Sequence, residues 1–436
     1  MIISRDAEEL KAKILAKIID EGFKCKSKYG DTIRCKPIFG IVKNPEYVHE
    51  LEYDFSGYSI CGEGYVERVE ESINYAVKKL KKTPFTRRVS IPIWRAKDHL
   101  CKTPPAITEI SFLIYDNRLN ATALIRSLDV TNYFTFNFDF VNYVLNRILD
   151  ELDCKKGSIA MIISIPHVYI RDLERAKDEM KEYEEIYGVT EFGTHIAEDY
   201  LSSAWHSVLE AVYFRGKSKK TEWGDMFEGQ AESKFLHRVF VEVKNPYENQ
   251  IHDKAPFTRK YGIEYAHDYV IYAKSIDKPI KEPMLKEGET YTYAERARYC
   301  ERDDIKVDQL YKVIEKLKED KYKRDCYVGI SRTWDLLSDE PPCLRGYQFF
   351  ALNDETLAGL FFMRSNDAYG AMHANAYAFS LLTQYVAELA GFQKHVYYHF
   401  AVDMHIYAEF FDAVKEILQP ETPTIHDFID FKKLKG

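Results

Sequence analysis

The spacing of apolar positions along this chain predicts the same order of helices and strands twice. Apolar residues recur at helical spacing over 7–22 and 140–152, and again over 201–216 and 378–389. Short runs rich in β-branched and aromatic residues predict strands at IFGIVK, SFLIYD and IAMIISI, and later at VFVEVK, LAGLFFM and HVYYHFAV. We therefore expect each half of the chain to be α+β, with helices packed on a mixed sheet.

Polar residues also recur at matched spacing, which indicates a duplicated chain. The motif RSLD at 126–129 is repeated as RSND at 364–367. In each copy an asparagine follows the arginine by 11 positions, a histidine follows the arginine by 41, and a tyrosine follows the histidine by 2. Chance is a poor explanation for six polar residue types at fixed offsets. We expect two domains, 1–190 and 191–436, of which the second is longer, mainly between 249 and 291.

Charge and composition exclude some classes of protein. The 436 residues carry a net charge of −8, so we expect no basic surface for nucleic acid. No apolar run is long enough to cross a bilayer, and the first residues, MIISRDAEEL, are too polar for a signal peptide. The eight cysteines form no C-x-x-C pair, which favours reduced thiols. These features predict a cytoplasmic protein without a nucleic-acid or membrane partner.

Two weaker patterns are interpreted as structural. His395, His399 and His405 lie on one predicted strand with no further Cys/His pattern, so we expect no metal site. The basic run KSKK at 217–220 predicts a solvated loop.

The second half carries four motifs in a fixed order. PPC at 341–343 is followed by R-S-x-D at 364–367, an asparagine at 375 and D-x-H-x-Y at 403–407. This set resembles the thymidylate synthase family, which includes the pyrimidine nucleotide hydroxymethylases. The residues that match the family motifs are Cys343, Arg364, Ser365, Asp367, Gly370, Asn375, Asp403, His405 and Tyr407.

The chemistry of these side chains suits attack on a pyrimidine ring. A thiolate at Cys343 is a soft nucleophile for C6, and a fixed cation such as Arg364 favours the thiolate. Addition at C6 makes C5 nucleophilic, so that C5 can take a one-carbon unit. Arg364 and the hydroxyl of Ser365 suit a 5′-phosphate. His405 and Tyr407, two positions apart on a strand, face the same side and could hold a sugar hydroxyl.

The base and the catalytic carboxylate are assigned with help from the resemblance. The Asn375 amide presents one donor and one acceptor, which match O4 and N3–H of uracil and favour uracil over cytosine. The resemblance implies that Asn375 binds the base and that Asp367 lies near the base and the carrier. It also implies a catalytic carboxylate in the helix predicted within 259–275, where Glu264 is our candidate and Asp268 the alternative.

The first half lacks residues that this chemistry needs. Ala106 stands where the second half has Cys343, and Ile165 stands where it has Asp403. The first half also lacks the longer segment that contains Glu264. We therefore expect its own site to be catalytically inactive.

The arginines suggest how the two halves cooperate. The resemblance implies symmetric homodimers in which each site takes a pair of arginines from the partner subunit. The first half has Arg87–Arg88, and Lys323–Arg324 is the matching pair in the second half. Our hypothesis is an intramolecular pseudo-dimer in which Arg87 and Arg88 bind the phosphate at the Cys343 site. The alternatives are that each half pairs with its twin in another chain, giving a higher homo-oligomer, or that Arg87 and Arg88 are surface charge.

The leading interpretation is an enzyme that transfers a one-carbon unit to C5 of a pyrimidine nucleotide, with dUMP or UMP favoured. The resemblance implies 5,10-methylene-tetrahydrofolate or methylene-tetrahydromethanopterin as carrier. The product carries a methyl group if the carrier also gives hydride, and a hydroxymethyl group if water traps the intermediate. A non-catalytic nucleotide-binding protein is the second interpretation. A modifier of nucleic-acid bases is the third, which the acidic net charge disfavours.

Overall fold

The computed structural model describes residues 1–46, 55, 59–60, 63–220, 232–248, 250–272, 278–280, 285–286, 289–299 and 307–419. In these ranges the chain forms two large mixed sheets with helices packed on them, which confirms the expected α+β class. The α-helices are Ala7–Glu21, Tyr65–Lys82, Val130–Leu149, Leu173–Glu179, Leu201–Arg215, Arg259–Tyr265, Tyr293–Arg298, Gln309–Glu319, Met372–Leu389 and Phe411–Leu418. Shorter helical turns are Ala96–Leu100, Ile170–Asp172, Ala266–Ile271, Thr333–Leu337 and Ala408–Phe410.

The two large sheets repeat one topology. The first has the strand order Ile2–Ser4, Ile38–Val42, Lys155–Ile163, Arg118–Ile125, Ile107–Tyr115 and Ser90–Pro92. The second has Thr194–Glu198, Glu232–Val243, Lys394–Tyr407, Thr356–Met363, Leu344–Ala351 and Tyr327–Gly329 in the same order. Each neighbouring pair has the same parallel or antiparallel sense in both sheets. The repeat seen in the polar spacing is therefore also a repeat of strand order.

The remaining strands differ between the halves. Three short strands extend the second large sheet: Gly188–Val189, Lys217–Lys220 and Asn366–Asp367. In the first half Leu128–Asp129, Pro166–Tyr169, Thr32–Arg34 and Phe23–Cys25 form a separate four-stranded sheet, and Ser59–Ile60 pairs with Glu63–Gly64. The break falls at Pro166, which has no N–H to continue the ladder.

The two large sheets pack against each other through an apolar layer to which both halves contribute. The layer includes Phe39 and Ile162 of the first sheet and Phe240, Leu360 and Phe400 of the second. All five are at most 2% exposed. The ring centroids of Phe39 and Phe400 lie 5.5 Å apart. Burial of these side chains removes a large apolar area from water, so the two sheets share one core.

A buried ion pair also joins the two halves. The carboxylate of Glu109 accepts hydrogen bonds from Arg345 at 2.9 Å and from the Ser331 hydroxyl at 2.6 Å. Glu109 and Arg345 are both 1% exposed or less. Removal of one partner would leave a buried charge unpaired, so this contact stabilises one relative position of the halves.

Two helices begin earlier than the apolar spacing predicts. Val130–Leu149 begins after Asp129, whose carboxylate accepts a backbone N–H of the first turn, and Met372–Leu389 begins well before residue 378. The additional turns carry buried asparagines, Asn137 and Asn375. These polar residues interrupt the amphipathic pattern, which is why the pattern did not include them.

The structure departs from the expected thiol state at one cysteine. Cys101 is disulfide-bonded, so the expectation of reduced thiols is wrong for this residue. Free thiols are present at Cys25, Cys35, Cys154, Cys326 and Cys343. Along the described ranges, the structure contains no helix with the length and apolar character needed to cross a membrane.

Candidate active site

Cys343 lies immediately before the strand Leu344–Ala351, half-buried against the second-half core. Arg364 organises the chain before it. The buried guanidinium of Arg364 donates to the carbonyls of Pro342 at 3.1 Å and Pro341 at 2.7 Å, and the Arg364 N–H donates to the Cys343 carbonyl at 2.9 Å. Burial lowers the pKa of Arg364, and a negative charge at Cys343 opposes that effect. Arg364 therefore both positions the thiol and places a cation beside it.

The first half contributes Arg87 to this cluster. The Arg87 carbonyl accepts from Arg364 at 3.1 Å, and its guanidinium donates to the Tyr407 hydroxyl at 3.2 Å. A second nitrogen lies 3.5 Å from a carboxylate oxygen of Asp403. Burial alone would lower the pKa of Arg87, but Asp403 and Tyr407 outweigh it and the pKa is raised. Arg88 follows in the chain and is half-buried.

A buried carboxylate, that of Asp403, contacts several basic side chains of the cluster. Asp403 is fully buried and contacts Arg87, Lys219 and Nδ1 of His405, the last at 2.9 Å. Burial would raise its pKa, but the charge of Lys219, the contact with His405 and the charge of Arg87 hold the pKa of Asp403 well below the usual range. Burial lowers the pKa of His405 to about 3, so the imidazole is neutral. Its Nε2 has no hydrogen-bond partner in the described part of the chain, which leaves it available to a ligand.

Lys219 was missed by the sequence analysis. KSKK at 217–220 is a strand rather than a solvated loop, and it pairs with Glu232–Val243. Lys217 and Lys219 lie on the same face of this strand. Lys219 contacts the buried carboxylate of Asp403, whereas Lys217, at the start of the strand, is exposed and pairs with Asp116. Nothing in the sequence KSKK indicates that Lys219 contacts a buried carboxylate.

Asn375 is held in a buried hydrogen-bond chain. Its Oδ1 accepts from the Tyr265 hydroxyl at 2.8 Å, and its Nδ2 donates to Oδ1 of Asn366 at 3.3 Å. Asn366 in turn donates to Nε2 of His399 at 3.1 Å, and burial lowers the pKa of His399 to about 3. His399 is therefore a neutral hydrogen-bonding group. The chain fixes the plane of the Asn375 amide, the group that the sequence analysis matched to uracil.

The structure does not bring Glu264 to this cluster. The Glu264 side chain is 61% exposed and lies 3.9 Å from Lys260, its neighbour one turn earlier. Asp268 is also exposed, and it pairs with His267 and Lys286. Tyr265 and Tyr269 pack against the second-half core instead, whereas Tyr261, one turn earlier, is exposed.

These tyrosines form an aromatic wall beside Cys343. The rings of Tyr261 and Tyr265 stack at 6.1 Å, and those of Tyr265 and Tyr269 at 5.3 Å. Burial raises the pKa of Tyr269, with further contributions from Tyr291 and Cys343. The i, i+4, i+8 spacing of tyrosine in the sequence was the signal that could have identified this face.

Asp367 lies beside His405, its strand partner, and Ser365 is buried two residues earlier. One oxygen of Asp367 accepts the Tyr369 N–H at 3.0 Å. A Cβ at Gly370 would lie 2.6 Å from the other oxygen, so glycine permits this close turn. Burial raises the pKa of Asp367 to about 6.

Asp367→Asn is expected to stabilise the protein more at pH 8 than at pH 5. The folded pKa of about 6 exceeds the ordinary aspartate value of about 3.9, so the ionised carboxylate costs stability as pH rises from 4 to above 6. The amide removes that cost. We expect its stabilising effect to grow by about 1 kcal/mol between pH 5 and pH 8 in urea unfolding. The exposed carboxylate change Asp412→Asn is the control, and an equal effect of Asp367→Asn at both pH values would contradict the prediction.

The first half repeats the same arginine contacts. Arg126 donates to the carbonyls of Pro105 and Pro104 at 2.7 Å each, and to the Arg324 carbonyl at 2.9 Å. Arg324 donates to the Tyr169 hydroxyl at 2.9 Å and also contacts His167. The contacts of Arg126 and the Arg324–Tyr169 bond correspond to those of Arg364 and to the Arg87–Tyr407 bond. The two halves differ at the second contact, because Arg87 contacts Asp403 where Arg324 contacts His167.

The equivalence corrects one sequence alignment. Arg324 occupies the position of Arg87, so Asp325 occupies the position of Arg88. The second-half pair is therefore Arg324–Asp325, and Lys323–Arg324 was aligned one residue too early. Asp325 pairs with Lys316 at 2.6 Å.

One group of possible metal ligands lies elsewhere in the described residues. Atoms of Glu185, His195 and Glu242 lie within 4.8 Å of one another. Lys36 lies 3.7 and 3.8 Å from the two carboxylates, and Lys17 bonds to Glu185 at 2.8 Å. Because these ammonium groups already balance the carboxylates, we assign no metal to the group.

Comparisons with known proteins match both halves to one family. The family model described as Thymidylate synthase matches residues 28–193 and 227–429. A protein of Methanosarcina mazei named "Putative thymidylate synthase" is 30% identical over 233 residues, which are 52% of this chain and 96% of that protein. One of Methanococcoides burtonii with the same name is 29% identical over 220 residues, 50% of this chain and 92% of that protein. The "Thymidylate synthase" of Malacoplasma penetrans is 28% identical over 213 residues, 48% of this chain and 69% of its own length.

Proposed function

Because this chain belongs to the thymidylate synthase family, we propose that it transfers a one-carbon unit from a reduced folate-type carrier to C5 of a pyrimidine nucleotide at the Cys343 site. The observation that carries the proposal is that the half-buried Cys343 thiol lies close enough to the guanidinium groups of Arg364 and Arg87 to interact electrostatically with both. The Asn375 amide approaches the sulfur of Met363, the residue before Arg364, at 4.0 Å. The nucleophile, the groups that would bind the phosphate and the amide that would bind the base thus lie in one cluster.

The residues divide the reaction among them. The Cys343 thiolate adds to C6, and the C5=C6 electron pair moves to C5 and is delocalised onto O4. A hydrogen bond from the Asn375 amide to O4 stabilises that charge. Arg87, Arg364 and Ser365 hold the phosphate, and His405 and Tyr407 hold the sugar. After the carbon is bound at C5, the C5 proton passes to water and the bond from that carbon to the carrier nitrogen breaks. Hydride or water then adds to the resulting C5 methylene as the thiolate leaves C6, which restores the C5=C6 double bond.

The carrier would supply the carbon, and the hydride when the product is methyl. The aromatic wall fits the flat ring of such a carrier, because Tyr269 and Tyr291 lie beside Cys343 and the rings of Tyr269 and Tyr293 are 5.1 Å apart. The carrier is methylene-tetrahydrofolate or methylene-tetrahydromethanopterin in this proposal. Asp367 would contact the base and the carrier ring.

We further propose two domains, 1–190 and 191–436, that pair as an intramolecular pseudo-dimer. The repeated strand order and the matched arginine contacts support this proposal, since each arginine reaches the site of the opposite half. The Glu109–Arg345 pair and the shared apolar layer support pairing within one chain. One working site would then be built by both halves.

A turnover assay tests the function directly. The protein would be mixed with dUMP, UMP, dCMP and CMP in turn, each with methylene-tetrahydrofolate or methylene-tetrahydromethanopterin, and products measured by mass spectrometry. We expect a gain of a methyl or hydroxymethyl group on a uracil nucleotide. The absence of product with every pair, from a protein that still binds nucleotide, would instead favour the non-catalytic interpretation.

Tyr265→Phe is expected to weaken discrimination between uracil and cytosine nucleotides. The change removes the hydroxyl that bonds to Oδ1 of Asn375, so the amide can turn more freely. Loss of a buried partner costs about 1–3 kcal/mol, so we expect the ratio of kcat/KM values for dUMP and dCMP to fall about tenfold. Tyr261→Phe is the matched control because Tyr261 is 52% exposed on the same helix. An unchanged ratio in Tyr265→Phe would show that Tyr265 does not position the amide.

A further inference from the structure

We infer that the first half contains a second, non-catalytic site that binds a pyrimidine nucleoside monophosphate. A cavity of about 620 Å³ lies beside Ala106, lined by Arg126, Ser127, Asn137 and Tyr169 of the first half and by Arg324 of the second. This volume lies within the range of small-molecule sites. The inference goes beyond the proposed function, and it stands on the side chains of this cavity rather than on turnover at Cys343.

Two arginines in the cavity lack a carboxylate partner. Arg126 is 8% exposed, and its guanidinium donates only to carbonyl oxygens. In the described part of the chain, no carboxylate oxygen lies within 4 Å of the guanidinium of Arg126 or Arg324. The second half differs, because Arg87 faces Asp403 where the first half has Ile165.

These cations predict an anionic ligand. Asp129, Asp320 and Asp325 also line the cavity, and Asp325, which opposes the effect of burial on the pKa of Arg126, pairs with Lys316 at 2.6 Å. Two guanidinium groups beside the Ser127 hydroxyl present several donors, which suit a phosphate ester. The Tyr169 hydroxyl accepts from Arg324 and keeps its own hydrogen for a ligand.

Asn137, which matches Asn375 in the repeat, supplies an unpaired acceptor for a base. Its side chain is 2% exposed, and its Nδ2 donates to the Tyr133 carbonyl at 2.7 Å. A carbonyl can only accept, so this bond excludes the flipped amide and directs Oδ1 the other way. Oδ1 is buried and has no hydrogen-bond partner among the residues described. A ligand N–H would satisfy it, and the N3–H of uracil or thymine, or the amine of cytosine, provides one.

The floor of the cavity explains why this ligand would not react. Ala106 carries a methyl group in place of a thiol, so no bond to C6 can form. Tyr65 and Phe136 line the cavity and supply apolar faces for a ring. The site would therefore hold the nucleotide reversibly.

Calorimetric titration with UMP and dUMP, each used separately, tests the inference on the full chain. We expect two equivalents per chain for at least one of the two probes. Arg324→Gln should weaken binding of the first-half equivalent about tenfold or more and leave turnover at Cys343 unchanged. Arg87→Gln should weaken binding of the equivalent at the Cys343 site. If Arg324→Gln titrates with both probes as the wild type does, the inference is wrong. A single equivalent lost in Arg324→Gln but not in Arg87→Gln would support the inference and contradict the proposed function.

A labelling experiment covers the case in which Arg324→Gln does not fold. In a chain with Cys343→Ala and Ala106→Cys, alkylation of the thiol at position 106 is followed on its own peptide by mass spectrometry. At a UMP concentration ten times Kd, mass action predicts alkylation about tenfold slower. Cys154 is the internal reference. Alkylation that no concentration of UMP or dUMP slows would overturn the inference.

Discussion

Replacement of Cys343 with alanine is expected to lower kcat by at least about 10⁴-fold while nucleotide binding persists, because loss of a covalent nucleophile removes the route through the C6 adduct. The chain already contains the same exchange at Ala106, where the surrounding backbone keeps its arginine contacts. Cys343→Ala should therefore leave the Arg364 contacts with Pro341 and Pro342 intact. The measurement is single-turnover product formation, with nucleotide binding followed in parallel.

The matched control for Cys343 is Cys154→Ala, a half-buried free thiol of the first half. It should retain wild-type turnover. Wild-type turnover in Cys343→Ala itself would remove the thiolate mechanism, and with it the proposed function. Loss of both binding and turnover would mean that Cys343 supports the shape of the site rather than its chemistry.

The double variant Arg87→Ala, Arg88→Ala is expected to weaken nucleotide binding at the Cys343 site by about 10²- to 10⁴-fold. Each charge-assisted hydrogen bond to phosphate is worth about 1.5–3 kcal/mol, and two are removed. The fold should survive, since Arg364 bonds to the backbone carbonyl of residue 87, which the change keeps. Arg324→Ala is the control because it makes the equivalent change at the first-half site. Unchanged binding in the double variant would show that the halves do not share a site.

A mixing experiment separates pairing within a chain from pairing between chains. Cys343→Ala and the Arg87→Ala, Arg88→Ala variant would be unfolded together, refolded and assayed. Pairing within one chain predicts no recovered activity, because neither chain has both the thiol and the arginines. Pairing between chains predicts about a quarter of wild-type activity, since random association restores that share of complete sites.

The candidate site shows where sequence reasoning reaches its limit. Arg364, Asn375, His405 and Tyr407 were assigned by spacing, and the structure brings them together with Cys343. Glu264 was assigned by helix position alone, and it lies in solvent because tyrosines occupy the buried face of that helix. The position of a lysine along its strand decides whether it reaches Asp403, as Lys219 does, and nothing within KSKK encodes that buried carboxylate.

The sequence by itself determined the duplication, the order of helices and strands in each half, and the loss of the thiol at Ala106. These are local properties, since periodicity and residue type can be seen within a short window. Only the tertiary structure decided that Arg87 reaches Tyr407, that Arg324 rather than Lys323 matches it, and that Tyr265 faces Asn375. Each of those contacts joins residues more than 100 positions apart. They depend on how two sheets bury their apolar faces against each other, which no short window contains.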